Sequence, residues 1–317
     1  MKLEDIGFYT LSDARSRQCS ASSPLWRCEL IVTDRCNFSC PYCRGLKPDL
    51  RGDMSFDEAK RTCDIWIREG LKNVRFSGGE PTLWPRLCDL VRHCRGGNVK
   101  RIAISTNGSA PLSTYDALLS SGVNDFSVSL DACCAECGDK MAGGRKGAWD
   151  RVVYGIRYLA KRSYTTVGMV FTDENVGSCV ESVLFSDSLG VSDIRVVPSA
   201  QFNRALELLR ALPSDVLGRH PILRYRVENG GVVRGMRTND CGKCQLALDD
   251  MAVAGGWHFP CIIYMREGGN PIGRVGDDIR ASRAEWVEHH DSHADRICAS
   301  MCLDVCIEYN NKAGGAF

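Results

Sequence analysis

The sequence predicts an α/β protein: a partial TIM-type barrel of six β/α units, (β/α)6, followed by a small cysteine-rich unit. Three observations carry this reading. Short β-branched runs alternate with helical runs from about residue 28 to about 205. Six such units can be counted, fewer than the eight of a closed barrel. Six cysteines gather beyond residue 236.

The strands come in order at residues 28–34 (CELIVTD), 73–79 (NVRFSGG), 101–108 (RIAISTNG), 125–132 (DFSVSLDA), 165–172 (TTVGMVFT) and 193–199 (DIRVVPS). Between them, residues 55–71 space apolar side chains at helical intervals, and residues 111–122 end on a glycine stop. Strands alternating with helices make parallel βαβ units, whose chemistry sits in the loops after the strands' carboxyl ends. The chain therefore divides into an N-terminal extension (1–27), a core barrel (28–205), a basic bridge (206–235) and the cysteine-rich unit (236–317). Arg204, Arg210, Arg219, Arg224, Arg226, Arg234 and Arg237 crowd residues 200–240 with few acids. No internal repeat or low-complexity tract stands out.

With 317 residues and 44% hydrophobic content, the chain has material for one large domain and a smaller one. A net charge of +1 gives no global grip on nucleic acid or membrane, local patches aside. No apolar run approaches the ~18 residues that span a bilayer. The acidic, mixed opening is not a signal peptide, so a cytoplasmic location is expected. The 18 cysteines are the anomaly. A secreted disulfide scaffold conflicts with the length and with the missing export signal. Metal ligands, redox groups and small core residues are left as readings.

The loop after the first strand reads Cys36-Asn37-Phe38-Ser39-Cys40-Pro41-Tyr42-Cys43. Three thiolates so spaced can hold three corners of an iron–sulfur cubane and leave one iron open. Zinc would want a fourth close Cys or His, and none follows nearby. Buried packing alone does not explain this spacing on a loop at a strand end.

The CxxxCxxC loop resembles the radical S-adenosylmethionine (SAM) superfamily, and the resemblance runs over roughly residues 28–200. It implies a (β/α)6 partial barrel, a 4Fe–4S cluster on Cys36, Cys40 and Cys43, and SAM chelated to the open iron. Tyr42 matches the aromatic position beside the adenine. Ser77-Gly78-Gly79-Glu80-Pro81 looks like the family's GGE motif, which binds the methionine amino group. In physical terms, paired glycines permit close backbone approach and a carboxylate complements an ammonium. Ser105-Thr106-Asn107-Gly108, and Ser127 to Asp131 with Ser129, resemble the segments that contact ribose and carboxylate. Arg195 and Val197 fall on the last strand, near the adenine end. The implied chemistry is reductive cleavage of SAM to methionine and a 5′-deoxyadenosyl radical, which takes hydrogen from an unactivated carbon. The electron comes from an external one-electron donor such as flavodoxin or ferredoxin.

A second cysteine set follows: Cys241-x-x-Cys244, then Cys261 after a glycine-turned hairpin at 255–261, then Cys298, Cys302 and Cys306 at a four-residue period. On one helix the last three would share a face. With Ile272-Gly273 and a helix over 277–286, the set resembles the SPASM or twitch extension of radical SAM enzymes. That resemblance implies an auxiliary 4Fe–4S cluster. Six cysteines suit one cluster with spares better than two clusters. The preferred ligands are Cys244, Cys261 and two of the last trio, with Cys241 also available. A structural zinc ribbon is the alternative.

Cys133, Cys134 and Cys137 follow Asp131 on a loop expected to face the active site. They read either as hydrogen-atom donors or metal binders, or as incidental small residues. Cys19, Cys28, Cys63, Cys88, Cys94 and Cys179 fit packing. His289, His290 and His293 read as a solvated helix face, with metal ligation as the alternative.

Three substrate classes compete: a modified nucleobase, a ribosomal peptide, and a sugar or aminocyclitol. Residues 1–27 are too short for the winged-helix segment that peptide maturases usually carry. The arginine-rich bridge suits an anion such as a nucleotide or DNA strand, or else is a solvated face. The opening (Leu11-Ser12-Asp13-Ala14, then Ser23-Pro24-Leu25-Trp26-Arg27-Cys28-Glu29-Leu30 leading to Thr33-Asp34-Arg35-Cys36) resembles radical SAM proteins of tailed bacteriophages. Those hypermodify thymidine in phage DNA, protecting it from host nucleases, in the host cytoplasm. The resemblance implies an isomerase. Glycine joined through nitrogen to the thymine methylene becomes joined through its α-carbon. A glycine α-radical is stabilised by the nitrogen on one side and the carboxylate on the other. A non-enzymatic cluster scaffold or sensor is the remaining reading, and it has no need of the SAM-contacting segments.

Overall fold

The computed structural model describes residues 14–198, 203–229 and 232–314. Leu11, Ser12 and Asp13 of the opening, and Ser199 at the end of the sixth expected strand, lie outside the described residues.

Six parallel strands form the barrel wall: β1 (Arg27–Thr33), β2 (Asn73–Gly78), β3 (Arg101–Thr106), β4 (Asp125–Ser129), β5 (Tyr164–Phe171) and β6 (Asp193–Pro198). They lie side by side in chain order, as right-handed βαβ crossovers place them. Helix α1 (Phe56–Arg68) follows β1, α2 (Leu87–Gly96) follows β2, and α3 (Leu112–Ser121) follows β3. After β4 come α4 (Ala135–Met141) and α5 (Ala148–Ala160), and after β5 comes α6 (Cys179–Ser188). Three short helices follow β6: α7 (Arg204–Leu208), α8 (Ser214–Arg219) and α9 (Pro221–Glu228). This is the partial (β/α)6 barrel expected from sequence.

Local sequence sets these elements. Ser55 caps α1 by accepting the Glu58 N–H at 3.2 Å, the first half of a capping box. The α1 face that carries Ala59, Cys63, Ile65 and Trp66 is buried. Along each strand, alternate residues split between two environments. Leu30, Val32, Val74, Phe76, Ile102, Ile104, Phe126 and Val128 join the main apolar core. The intervening Glu29, Ser77, Ser105, Ser127 and Arg195 face cavities instead. The inner side of this barrel is therefore hollow and carries polar and charged side chains among apolar ones.

The segment read as a second unit continues the same sheet. Strand β7 (Asp250–Ala254) pairs parallel with β1, in the register Arg27↔Asp250 to Leu30↔Val253. β8 (Trp257–Phe259) and β9 (Gly273–Arg274) follow antiparallel, so nine strands run β6-β5-β4-β3-β2-β1-β7-β8-β9. The hairpin turns on Gly255 (φ +55) and Gly256 (φ +73), both in the left-handed region that a tight two-residue turn demands. Helices α10 (Ile262–Arg266), α11 (Ile279–His289), α12 (Arg296–Met301) and α13 (Asp304–Gly314) complete the segment.

The expectation that Cys298, Cys302 and Cys306 share one helix needs correcting. Cys298 lies on α12, Cys302 is extended (ψ 137), and Cys306 lies on α13. The break has a cause. Leu303 forms a β-bridge with Arg234, and the Gly235 and Asp304 N–H groups donate to the Cys302 and Val233 carbonyls at 3.0 and 2.9 Å. These contacts hold Cys302 and Leu303 out of the helix. Among the described residues, no helix is long and apolar enough to cross a membrane.

Candidate active site

The loops at the carboxyl ends of β1, β2 and β3 are stitched together by backbone and side-chain bonds. The Gly79 N–H donates to the Thr33 carbonyl at 2.8 Å, and the Glu80 N–H to the Arg35 carbonyl at 2.7 Å. A Cβ at Gly78 would lie 2.1 Å from the Thr33 oxygen, and one at Gly79 2.3 Å from the Arg35 oxygen. Only glycine lets the two loops approach this closely. Asn107 Nδ2 donates to Asn37 Oδ1 at 2.8 Å, which carries the link to β3.

These loops surround a cavity of about 270 Å³. Cys36, Cys40 and Cys43 line it, with Tyr42 between them. Gly78, Gly79, Ser105, Thr106 and Asn107 line it from β2 and β3, and Ser129, Asp131 and Arg195 from β4 and β6. None of the three thiols is in a disulfide. Burial raises the Cys36 thiol. The Cys40 thiol is pushed up to about 11 by burial, then by the Asp131 charge and the neighbouring Cys36 and Cys43. Three crowded sulfurs that open on one cavity suit a cationic iron–sulfur group, which offsets the charge of their thiolates.

The Tyr42 hydroxyl donates to Asp131 Oδ2 at 2.5 Å, and the Val170 N–H donates to Oδ1 at 2.7 Å. Burial still pushes the Asp131 carboxyl up to about 6. Tyr42 thus fastens the cysteine loop to β4 and β5.

Two residues of the expected SAM set lie elsewhere. Pro81 opens a short 3-10 turn away from the cavity wall. Glu80 has no exposed surface, and its carboxylate does not face the cavity as an ammonium partner would. Its oxygens accept from the Thr82 N–H and hydroxyl (3.1 and 2.6 Å), the Thr106 hydroxyl (2.8 Å) and the Asn107 N–H (2.6 Å). Cys133, Cys134 and Cys137 do not line the cavity either. Cys134 and Cys137 are exposed, while Gly138 and Met141 form the inward face of α4.

A second cavity, of about 250 Å³, occupies the lumen and shares Glu29 and Arg195 with the first. Its walls come from β1, β2, β6 and β7, so the curled sheet encloses it. Arg27, Arg75, Arg226 and Arg234 line it, against only Glu29 and Asp250. Arg27 pairs with Asp250 at 3.0 Å, and Arg226 pairs with Asp304.

Cys261 and Cys306 also line this lumen. The thiols of Cys244, Cys261, Cys298, Cys302 and Cys306 lie near enough to perturb one another. Burial pushes Cys244 up to about 12, and it also raises Cys261 and Cys298. Cys302 hydrogen-bonds to Cys306, which raises the first thiol and lowers the second. Cys241 stands apart, its Sγ 3.6 Å from the Lys243 carbonyl. Of the three histidines, His290 reaches a thiol: its Nε2 is 3.6 Å from Cys298 Sγ, under the stacked ring of Trp286. His289 bonds within its own helix, and His293 bonds to the Asp240 carbonyl.

Residues 30–185 match the Radical SAM superfamily. The chain belongs to the radical SAM superfamily. A probable GTP 3′,8-cyclase of Metallosphaera sedula is 25% identical over 66% of this radical SAM chain and 72% of its own length. The GTP 3′,8-cyclase of Mesorhizobium japonicum is 36% identical, over 39% of either chain. Among solved structures, native anSMEcpe with bound AdoMet shares the fold with a TM-score of 0.62 at 14% identity, covering 92% of this chain and 96% of that one. Streptococcus suis SuiB bound to S-adenosylmethionine gives 0.58 at 17% identity, over 79% and 63%.

For this radical SAM protein, the sequence reading missed Glu29, Phe38, Trp149 and Arg266, all of which line the first cavity. Glu29 had a local signal, a lone charge inside the apolar run of β1. Arg266 had none. It arrives from α10, where its guanidinium donates to the Gly45 and Gly78 carbonyls at 2.8 and 3.0 Å.

Proposed function

We propose that this radical SAM enzyme takes hydrogen from a carbon of a small anionic substrate held in the barrel lumen. The observation that carries the reading is the junction of two cavities. One is ringed by Cys36, Cys40, Cys43 and the SAM-contacting segments; the other is lined by arginines. When bound on Cys36, Cys40 and Cys43, a 4Fe–4S cluster supplies the electron that splits SAM into methionine and a 5′-deoxyadenosyl radical.

The chain's own residues bind, orient and shield. Gly78 and Gly79 admit close approach to their backbone, and Ser105, Ser129 and Asn107 offer polar atoms. Phe38, Leu130, Met141 and Trp149 wall the cavity against water. Glu80 holds the β2 and β3 loops in register. In the lumen, an excess of guanidinium over carboxylate favours an anion.

The specific substrate of this proposal is a glycine-substituted thymidine in phage DNA, isomerised from N-linked to Cα-linked. Its glycine carboxylate supplies the anion. The base must leave the duplex to enter so small a space. Cys244, Cys261 and two of Cys298, Cys302 and Cys306 would hold an auxiliary 4Fe–4S cluster. A flavodoxin or ferredoxin would supply electrons. The names of the GTP 3′,8-cyclase relatives favour a second reading, a free nucleotide as the anion.

The test incubates anaerobically reconstituted, dithionite-reduced protein with SAM and DNA bearing the modified base, then digests the DNA to nucleosides. A rearranged nucleoside together with 5′-deoxyadenosine from SAM is expected. Formation of 5′-deoxyadenosine with an unchanged nucleoside profile removes this substrate. No SAM cleavage at all removes the enzyme reading.

A further inference from the structure

Glu29 on β1 and Arg195 on β6 line both cavities, the only charged residues among those described to do so. They stand where a substrate would meet the SAM side. Neither is spent on the other, since no ion pair among the described residues joins them. One Glu29 oxygen accepts the Ser77 hydroxyl at 2.5 Å, which leaves the second oxygen for another donor. Arg195 Nε is buried and has no hydrogen-bond partner.

Among the other lumen charges, Arg27 is matched by Asp250 and Arg226 by Asp304, while Arg234, whose Nε is also buried without a partner, donates through Nη1 to the Met301 carbonyl at 3.1 Å and does not reach the first cavity. A buried guanidinium N–H without an acceptor calls for an explanation, and a missing ligand is one. Gly168 on β5 pairs in register with Arg195, and a Cβ on it would sit 3.6 Å from Arg195 Nη2, so the guanidinium lies in van der Waals reach of the β5 backbone.

A guanidinium with an unpartnered Nε and a carboxylate with a spare oxygen, both at the junction of the two cavities, complement a ligand that carries both a carboxylate and an ammonium. We propose that Arg195 and Glu29 together recognise an amino-acid group on the substrate, Arg195 taking its carboxylate and Glu29 its ammonium. An N-substituted glycine, zwitterionic at neutral pH, fits this pair, and Arg195 can hold its carboxylate through two parallel bonds. The inference rests on the reading of the lumen as the substrate site. It makes Arg195 a specificity residue for the substrate, in place of the adenine contact expected from the sequence.

The test uses the reconstituted, SAM-loaded protein without reductant, so that binding is read without turnover. Two probe pairs are compared by calorimetry and ligand-observed NMR: N-benzylglycine against benzylamine, and N-glycyl-modified thymidine against its aminomethyl counterpart. The glycine-bearing member of each pair should bind about ten-fold or more tightly, the scale of a lost charge-assisted bond. Arg195→Met should erase that advantage and keep SAM affinity, while Arg195→Lys should restore part of it. Glu29→Gln should weaken both members of each pair, since both carry the ammonium. Equal affinity within both pairs for the wild type overturns the inference. So does an Arg195→Met protein that loses SAM binding while it still discriminates. Discrimination for the benzyl pair alone keeps the inference and removes thymidine. Discrimination without SAM cleavage on later reduction removes the enzyme reading alone.

Discussion

The Thr106 hydroxyl at the end of β3 donates to Glu80 Oε1 at 2.8 Å, inside a carboxylate that has no exposed surface. The same carboxylate takes three further donors, two from Thr82 and the Asn107 N–H. Glu80→Ala would leave these groups buried and unpaired. We expect a loss of about 3 kcal/mol or more in urea unfolding, and weaker SAM binding in calorimetry, because the β2 and β3 loops separate.

Cys36, Cys40 and Cys43 open on one cavity. Replacing any one by Ala should remove the SAM-cleaving cluster and bring 5′-deoxyadenosine release to background. Iron held by the C-terminal thiols should remain. Iron and sulfide counts beside the 5′-deoxyadenosine assay separate the two pools.

The C-terminal thiols divide five to one, with Cys241 away from the rest. Cys244→Ala and Cys261→Ala should each lower bound iron to that of a single cubane. Cys241→Ser should leave the iron count and the EPR signals as in wild type. Iron lost from Cys241→Ser alone would reverse the assignment.

Asp193 is fully buried at the start of β6. It receives the Ile194 N–H at 2.8 Å and the Ile222 N–H at 3.0 Å, yet burial pushes its carboxyl up to about 6. Folding therefore favours its protonated form over what the unfolded chain does. The stabilisation from this group is full below about pH 4 and is lost as pH rises through about 6, by up to about 3 kcal/mol. Asp193→Asn does not titrate. Relative to wild type, its melting temperature should therefore rise between about pH 4 and pH 7.

A methyl at Gly79 would lie 2.3 Å from the Arg35 carbonyl oxygen and 2.5 Å from that of Asp34. Both are backbone atoms that cannot swing away. Gly79→Ala should part the cysteine loop from β2 and weaken SAM binding while the far-UV circular dichroism stays native.

The features legible in the sequence are those whose chemistry is local. CxxxCxxC places three thiols on one loop by spacing alone, and six strand-and-helix pairs announce the parallel barrel. The Glu29 and Arg195 wall was not legible as a unit, because strands at opposite ends of the barrel order supply its two halves. The inward turn of the Glu80 carboxylate depends on donors from β3, which a motif does not contain. The broken helix at Cys302 depends on the Leu303–Arg234 bridge, a contact between distant segments. A glycine-turned hairpin is legible at 255–261, but nothing local says which edge its strand β7 joins.

That edge is β1, the strand that delivers the first cysteine loop. The two thiol sets are therefore spaced by a hydrogen-bonded ladder, with no hinge between them. The cysteine-rich segment cannot be cut away as a dispensable module. Truncation before residue 250 would bare the β1 edge and unroof the lumen at once, leaving a sticky half-shell prone to pair with other chains.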